Sequence, residues 1–246
     1  RATIVANAPT ATRQTLVSTP DRHLLFFGTE TTIATTSTQD DMFIRWSDQE
    51  SIDASTSYAP SATNTAGTQR LADGTRIIAA IRGRDAIYVW TDHALFIMRF
   101  VGAPFVFSFQ QVGTGCGLIG KNAAVEVDGS AYWMSENGFF RYTGKLESLP
   151  CLVEDYVFDD LNTVPRNHIF AGLNNLFGEV TWFYPGSGAA SNNRSVTYNY
   201  MDSTPERPVW TTSTLARSSW SDSHVFGKPH GTEYDSDATS DSTVGN

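Results

Sequence analysis

The sequence predicts an all-β chain. The expected architecture is a β-propeller of repeated β-hairpins and four-stranded blades of about 44 residues, with one short helix near residues 150–162. Three observations carry that prediction. A tryptophan followed by Ser or Thr and then Asp recurs at Trp46-Ser47-Asp48, Trp90-Thr91-Asp92 and Trp220-Ser221-Asp222, and Trp133 and Trp182 stand in related settings. These five tryptophans are 44, 43, 49 and 38 residues apart, with Trp210 outside the series, close to the length of one propeller blade. Each of the first four closes or nearly closes a β-rich run ("MFIRW", "AIYVW", "SAYW", "EVTW") and is followed by a polar turn ("SDQES", "TDH", "SENG", "YPGSGAASNN"), which is the grammar of hairpins. Finally, charged residues make up only 17% of the chain, below the quarter usual for soluble domains. Ser, Thr, Gly and Asn take their place, and these suit strands and turns better than long helices.

Along the chain, residues 1–20 read as a leading strand or linker from a preceding region, 21–231 as the blades, and 232–246 as an acidic polar tail or the start of a further blade. The start at Arg1 and the ending "YDSDATSDSTVGN" are what a piece of a longer polypeptide would show. "GTETTIATTSTQ" and "SIDASTSYAPSATNTAGTQ" contain no Lys or Arg and read as exposed loops or polar strands. The second is a long connection, of the kind that carries partner contacts. In "AIYVWTDHALFIMRF" the apolar residues partly alternate, as in strands with one buried face. A hairpin of this size is not stable alone, so radial repetition with face-to-face packing is the expected solution. Trp46, Trp90 and Trp133 are then expected to be mostly buried, at equivalent places in successive blades. The aspartate after each tryptophan is expected to start a turn, Asp48 accepting from amides just after Trp46 or from a neighbouring arginine. In "LPCLVEDYVFDDLN" apolar side chains fall at Leu152, Val153, Tyr156, Val157 and Leu161 behind a proline, which is helical spacing.

The 246 residues suffice for one large domain or two small ones, and the net charge of −9 repels phosphate and disfavours nucleic-acid binding. No run is long and apolar enough to cross a bilayer. "GTGCGLIGKN" places Gly115, Gly120 and Lys121 in the G-x-x-x-x-G-K spacing of a phosphate loop. Asn122 stands where Ser or Thr must hold magnesium, and "AAVEVDGSAYW" after it reads as a strand where a helix is required. The bland reading is a glycine-rich turn. His23, His93, His168, His224 and His230 are scattered, without metal-ligand spacing, and no G-x-S-x-G elbow is present. Cys116 and Cys151 show no ligand or redox spacing and are expected to be unbridged thiols. Asn193-Arg194-Ser195 fits a glycosylation sequon. Glycoside cleavage needs two carboxylates held apart across a sugar, and Asp48 with Glu136 is the pair that distant blades would have to bring together. On these grounds no catalytic, cofactor-binding or metal-binding residue is assigned and no cofactor is expected.

The order of segments carries a further indication. "DRHLLFFGTE", "DDMFIRWSDQES", "IYVWTDHALF" and "AYWMSENGFFRYTGKLESLPCLVEDYVFDDLN" together resemble the tail hub or nozzle proteins of short-tailed bacteriophages, also called tail stabilisation or tail accessory proteins. The resemblance runs from Asp21 to Asn162 and fades toward the C-terminus. It implies a non-enzymatic structural virion protein containing a β-propeller. Such a protein sits in the virion tail, is assembled in the host bacterial cytoplasm, and forms a homo-oligomeric ring of six subunits below the portal and adaptor. Its partners would be the adaptor, other tail proteins, and tail fibres or spikes. Double-stranded DNA would pass transiently during ejection without specific binding, and this chain would not insert into a membrane. The alternative is a carbohydrate-binding or glycoside-hydrolysing β-propeller used in host adhesion.

Overall fold

The computed structural model describes residues 5, 7–19, 21–52, 56–222 and 227–233; the tail beyond 233 lies outside them. The chain divides into two compact units, residues 1–149 and 150–246. It is mostly β, and its sheets are built from strands consecutive in sequence and antiparallel throughout.

In the first unit, β1 (Gln14–Val17), β2 (Leu24–Phe27), β3 (Phe43–Trp46) and β4 (Gly67–Arg70) form one four-stranded meander. A second is made by β5 (Ile77–Arg82), β6 (Ile87–Thr91), β7 (Ala94–Gly102) and β8 (Val106–Thr114), and a third by β9 (Ala124–Val127), β10 (Ser130–Ser135), β11 (Gly138–Tyr142) and β12 (Leu146–Leu149). The meanders form because β-branched and aromatic runs alternate with tight polar turns. Thr91-Asp92-His93-Ala94 is one such turn, its Thr91 hydroxyl accepting from the Ala94 amide at 2.8 Å. All five residues of β6 are buried, so this strand is covered on both faces. On one side Leu25, Ile44 and Trp46 of the first sheet share a core with Val89, Phe96 and Met98 of the second, and Trp46 meets Phe107 edge-on at 5.3 Å. On the other, Trp90 meets Trp133 of the third sheet at 5.4 Å and the Tyr88 hydroxyl donates to Gly129 O at 3.0 Å. Each meander of this unit therefore buries its apolar face on the next.

In the second unit, β13 (Phe170–Asn174), β14 (Glu179–Tyr184), β15 (Arg194–Asn199) and β16 (Trp210–Ser213) repeat the meander, and β17 (Ser219–Ser221) pairs with β18 (His230–Thr232). The helix α1 covers Glu154–Asp160. It is shorter than the periodicity implied, because Leu161 is extended and bridges to Gly186. Glu154 and Asp155 in its first turn suit the positive end of a helix, and Val157 is its buried side chain.

Trp90, Trp133 and Trp182 occupy the same register. Each lies on the second strand of its sheet opposite an alanine of the first strand: Ala79, Ala124 and Ala171. Trp46 departs from the expected equivalence. It is buried, but it stands on the third strand, opposite Leu25 and Gly67. The near-constant interval to Trp90 comes from the connection 47–66 and not from a repeated strand order. A side chain at Gly67 would run into the Trp46 ring, so the bare backbone there is what lets the indole lie flat across β4. Trp220 lies on the first strand of the β17–β18 pair, with its indole over Gly172 in the same way.

Candidate functional site

The recurring Trp-Ser/Thr-Asp turns are the natural place to look for chemistry. At the first, Asp48 Oδ1 accepts from the Thr65 amide at 2.8 Å, the Thr65 hydroxyl at 2.6 Å and the Gln49 amide at 3.0 Å. The Trp46 indole N–H donates to the carbonyl of the same Thr65 at 2.9 Å. Two side chains two residues apart thus grip both polar groups of one peptide segment and fasten the end of the long 47–66 connection to β3. Of these donors, the Gln49 amide is the one expected, just after Trp46. Thr65 takes the place considered for an arginine, because the connection folds back onto the strand it leaves. Asp92 repeats the carboxylate half of the grip on Thr75, accepting its amide at 2.8 Å and its hydroxyl, while the buried Trp90 indole N–H has no acceptor among the described residues. At the third turn the Asp222 carboxylate accepts from the Asn175 amide at 2.8 Å and the Trp220 indole donates to Leu173 O at 2.7 Å.

Burial opposes ionisation of Asp48 and Asp92, but the threonine hydroxyl and amide bonds outweigh it and hold both carboxyls below the ordinary aspartate value. A carboxyl with a depressed pKa adds stability that is present above its unfolded value, about 3.9, and is lost as pH falls through the lower folded value. Asp48→Asn keeps an acceptor at Oδ1 and is expected to cost less than about 1 kcal/mol, whereas Asp48→Ala strands the Thr65 amide and costs about 1–3 kcal/mol. Urea titrations at pH 7 compare the two. Combining Asp48→Asn with Asp92→Asn flattens the fall in melting temperature below pH 4. Equal losses for Asn and Ala would mean that charge, and not bond geometry, is what Asp48 supplies.

The stretch 113–122 leads into strand β9 and not into a helix, so no helix N-terminus faces a phosphate there. His23 is fully buried, its Nδ1 2.7 Å from Ser47 O, which makes Nδ1 the donor. No group of three metal-ligating side chains occurs among the described residues. Both cysteines are free. Burial pushes the Cys116 thiol up and that of Cys151 to about 11, which disfavours the thiolate a nucleophile needs. Asp48 has its working oxygen occupied by three donors, which leaves it poorly placed to act with Glu136. Asn193 of the sequon uses Oδ1 to accept from the Gly186 amide at 2.8 Å.

Sequence reasoning missed the buried pair Glu30 and Arg45. Glu30 accepts from the Thr10 amide and hydroxyl, both at 3.0 Å, and from the Ala34 amide at 2.6 Å. Arg45 donates to Tyr58 O at 2.9 Å and to Thr31 O at 2.8 Å. The signal was a lone cation in "FIRW", a run whose neighbours are all apolar. A cleft of about 230 Å³ also opens at one end of the first unit, lined by Asp21, Arg82, Arg84, Met98, Phe100 and Phe107 among others.

The class that fold and site define is a mostly β protein of consecutive four-stranded antiparallel meanders, buttoned by Trp-Ser/Thr-Asp turns. No protein-family model and no curated protein matches this chain.

Proposed function

We propose that this chain is a non-enzymatic structural protein, a subunit of the ring-shaped tail nozzle of a short-tailed bacteriophage, and that its meanders are the blades of a β-propeller. The observation that carries the reading is the use of the recurring polar turns. Asp48, Asp92 and Asp222 hold backbone in place, and the three tryptophans in common register are 0% exposed. A repeated motif whose carboxylates all fasten backbone serves a scaffold. A glycan-binding propeller would need such rings and carboxylates turned to solvent in one pocket. Meander order, with each sheet of the first unit packed on the next, agrees with blade packing, and the net charge of −9 suits a conduit that must let DNA pass without holding it.

Native mass spectrometry and electron microscopy of the purified chain test this. A six-membered ring with a central channel is the expected result. A strictly monomeric particle that binds oligosaccharides on a glycan array would replace this reading with the adhesion alternative.

A further inference from the structure

Strand β1 buries nothing. The first strands of the other meanders, β5, β9 and β13, each contain a buried residue, whereas Gln14–Val17 alternate between half-buried and exposed. No residue described from 7 to 17 is buried; half-buried Leu16 is what the segment lends to the core cluster. What holds it is polar. The Thr10 amide and hydroxyl donate to the Glu30 carboxylate, both at 3.0 Å, and the Thr29 hydroxyl donates to Ala11 O at 2.7 Å. Arg13 meets Asp41 at 2.9 and 3.3 Å in an exposed pair, and the backbone ladder to β2 runs from Gln14 opposite Phe27 to Val17 opposite Leu24. Hydrogen bonds exchange with water at little net gain, whereas buried apolar surface has no such substitute. An element held by the first kind of contact opens ahead of those held by the second.

One side chain ties this segment to the second sheet. Gln14 Nε2 donates to Ala80 O at 2.7 Å, and Gln14 Oε1 accepts from the Ala80 amide at 2.8 Å. The carboxamide thereby makes both bonds that a residue in an antiparallel ladder exchanges with its opposite number. Ala80 is 0% exposed and stands opposite Val89 of β6, so the imitation peptide is applied to a strand already fixed in the core. The pairing needs a donor and an acceptor side by side on one side chain, which is what an amide supplies.

We propose that residues 10–17 form a strap that opens as a unit while the sheets beneath it stay folded, and that Gln14 is its catch. Opening bares the edge of β2 and the Ala80 peptide group. The state of the catch therefore decides whether the first unit presents a free strand edge, the kind of surface on which another strand can pair.

The test is amide hydrogen exchange on the full chain in rising, sub-denaturing urea. The amides of β1 and of Ala80 are expected to exchange at rates that barely respond to urea, the mark of a local opening that exposes little surface. Those of β6 and β10 should exchange through global unfolding and accelerate steeply. Rates in β1 that climb in step with β6 overturn the strap. Gln14→Leu fills similar space without donor or acceptor. It is expected to speed exchange at β1 and Ala80 about 10-fold or more while β10 is unchanged and the melting temperature stays within a few degrees. An Ala80 amide as protected in this variant as in the wild type overturns the catch, and a variant that does not fold overturns the strap, since an element that opens alone cannot be required by the rest. Gln14→Glu separates bonding from packing. At pH 7 its carboxylate faces Ala80 O without a proton and the strap opens. Protonated, below the ordinary glutamate value of about 4.3, it regains the donor, and protection relative to wild type at the same pH returns. A loss in this variant that is equal at pH 7 and at about pH 3 would mean that shape alone, and not the paired bonds, holds the strap, and the catch fails.

Discussion

Trp133→Ala is expected to lower stability by about 3–5 kcal/mol. Trp133 is 0% exposed. It stacks on Phe140 of its own sheet at 5.7 Å and meets Trp90 of the preceding sheet edge-on at 5.4 Å. Truncation opens a cavity between two sheets whose facing strands are pinned by pleat and register, so the surrounding side chains fill it only in part. It also removes the indole N–H that reaches Cys116 O at 2.8 Å, leaving a buried carbonyl without that donor. Trp133→Phe restores much of the volume but not the bond, and is expected to recover about half of the loss. Trp46→Ala falls in the same range, with the Thr65 carbonyl losing its indole donor. Urea unfolding followed by circular dichroism measures all three. A loss below about 1 kcal/mol for Trp133→Ala would mean that the second and third sheets do not hold together through this contact.

The hairpins were legible in the sequence because they are local. A β-rich run, a polar turn and a second run specify a meander without reference to anything distant, and Trp90, Trp133 and Trp182 each announce a second strand. Strand order was not legible for Trp46. The interval from Trp46 to Trp90 is indistinguishable from the true repeat until the 47–66 connection is seen to fold back onto Asp48. The buried charges were hidden for a similar reason. Glu30 is reached by Thr10 and Ala34, and Arg45 reaches Thr31 and Tyr58, so their burial depends on chain segments that composition marks as exposed polar loops. The exposure of Phe105 was not legible either, since it follows from β6 being shorter than β7 and β8.

The buried arginine gives the second large effect: Arg45→Met is expected to cost about 3–5 kcal/mol. Arg45 is 4% exposed and its guanidinium donates to carbonyls of two connections, 28–42 through Glu30 and Thr31 and 47–66 through Tyr58. Burial pushes its pKa down and the Glu30 charge pushes it back up. Methionine fills similar volume but donates nothing, so three carbonyls lose a donor and the Glu30 carboxylate loses its opposing charge. Arg45→Lys keeps the charge but cannot span both connections with a planar fork, and is expected to fall between Met and wild type. Combining Arg45→Met with Glu30→Gln should cost less than the sum of the two single losses, because the carboxylate is no longer left uncompensated. Strict additivity in urea titrations would show that the two charges are not coupled. The coupling also has a pH signature. Burial works against the Glu30 carboxylate, but hydrogen bonds from Thr10 and Ala34 hold its pKa below the ordinary value. Its contribution is therefore present above the unfolded value, about 4.3, and is lost as pH falls through the lower folded value. The difference between the double variant and the summed single variants should accordingly be large at pH 7 and shrink in acid; a difference that is unchanged at pH 2 would place the compensation for Arg45 somewhere other than Glu30.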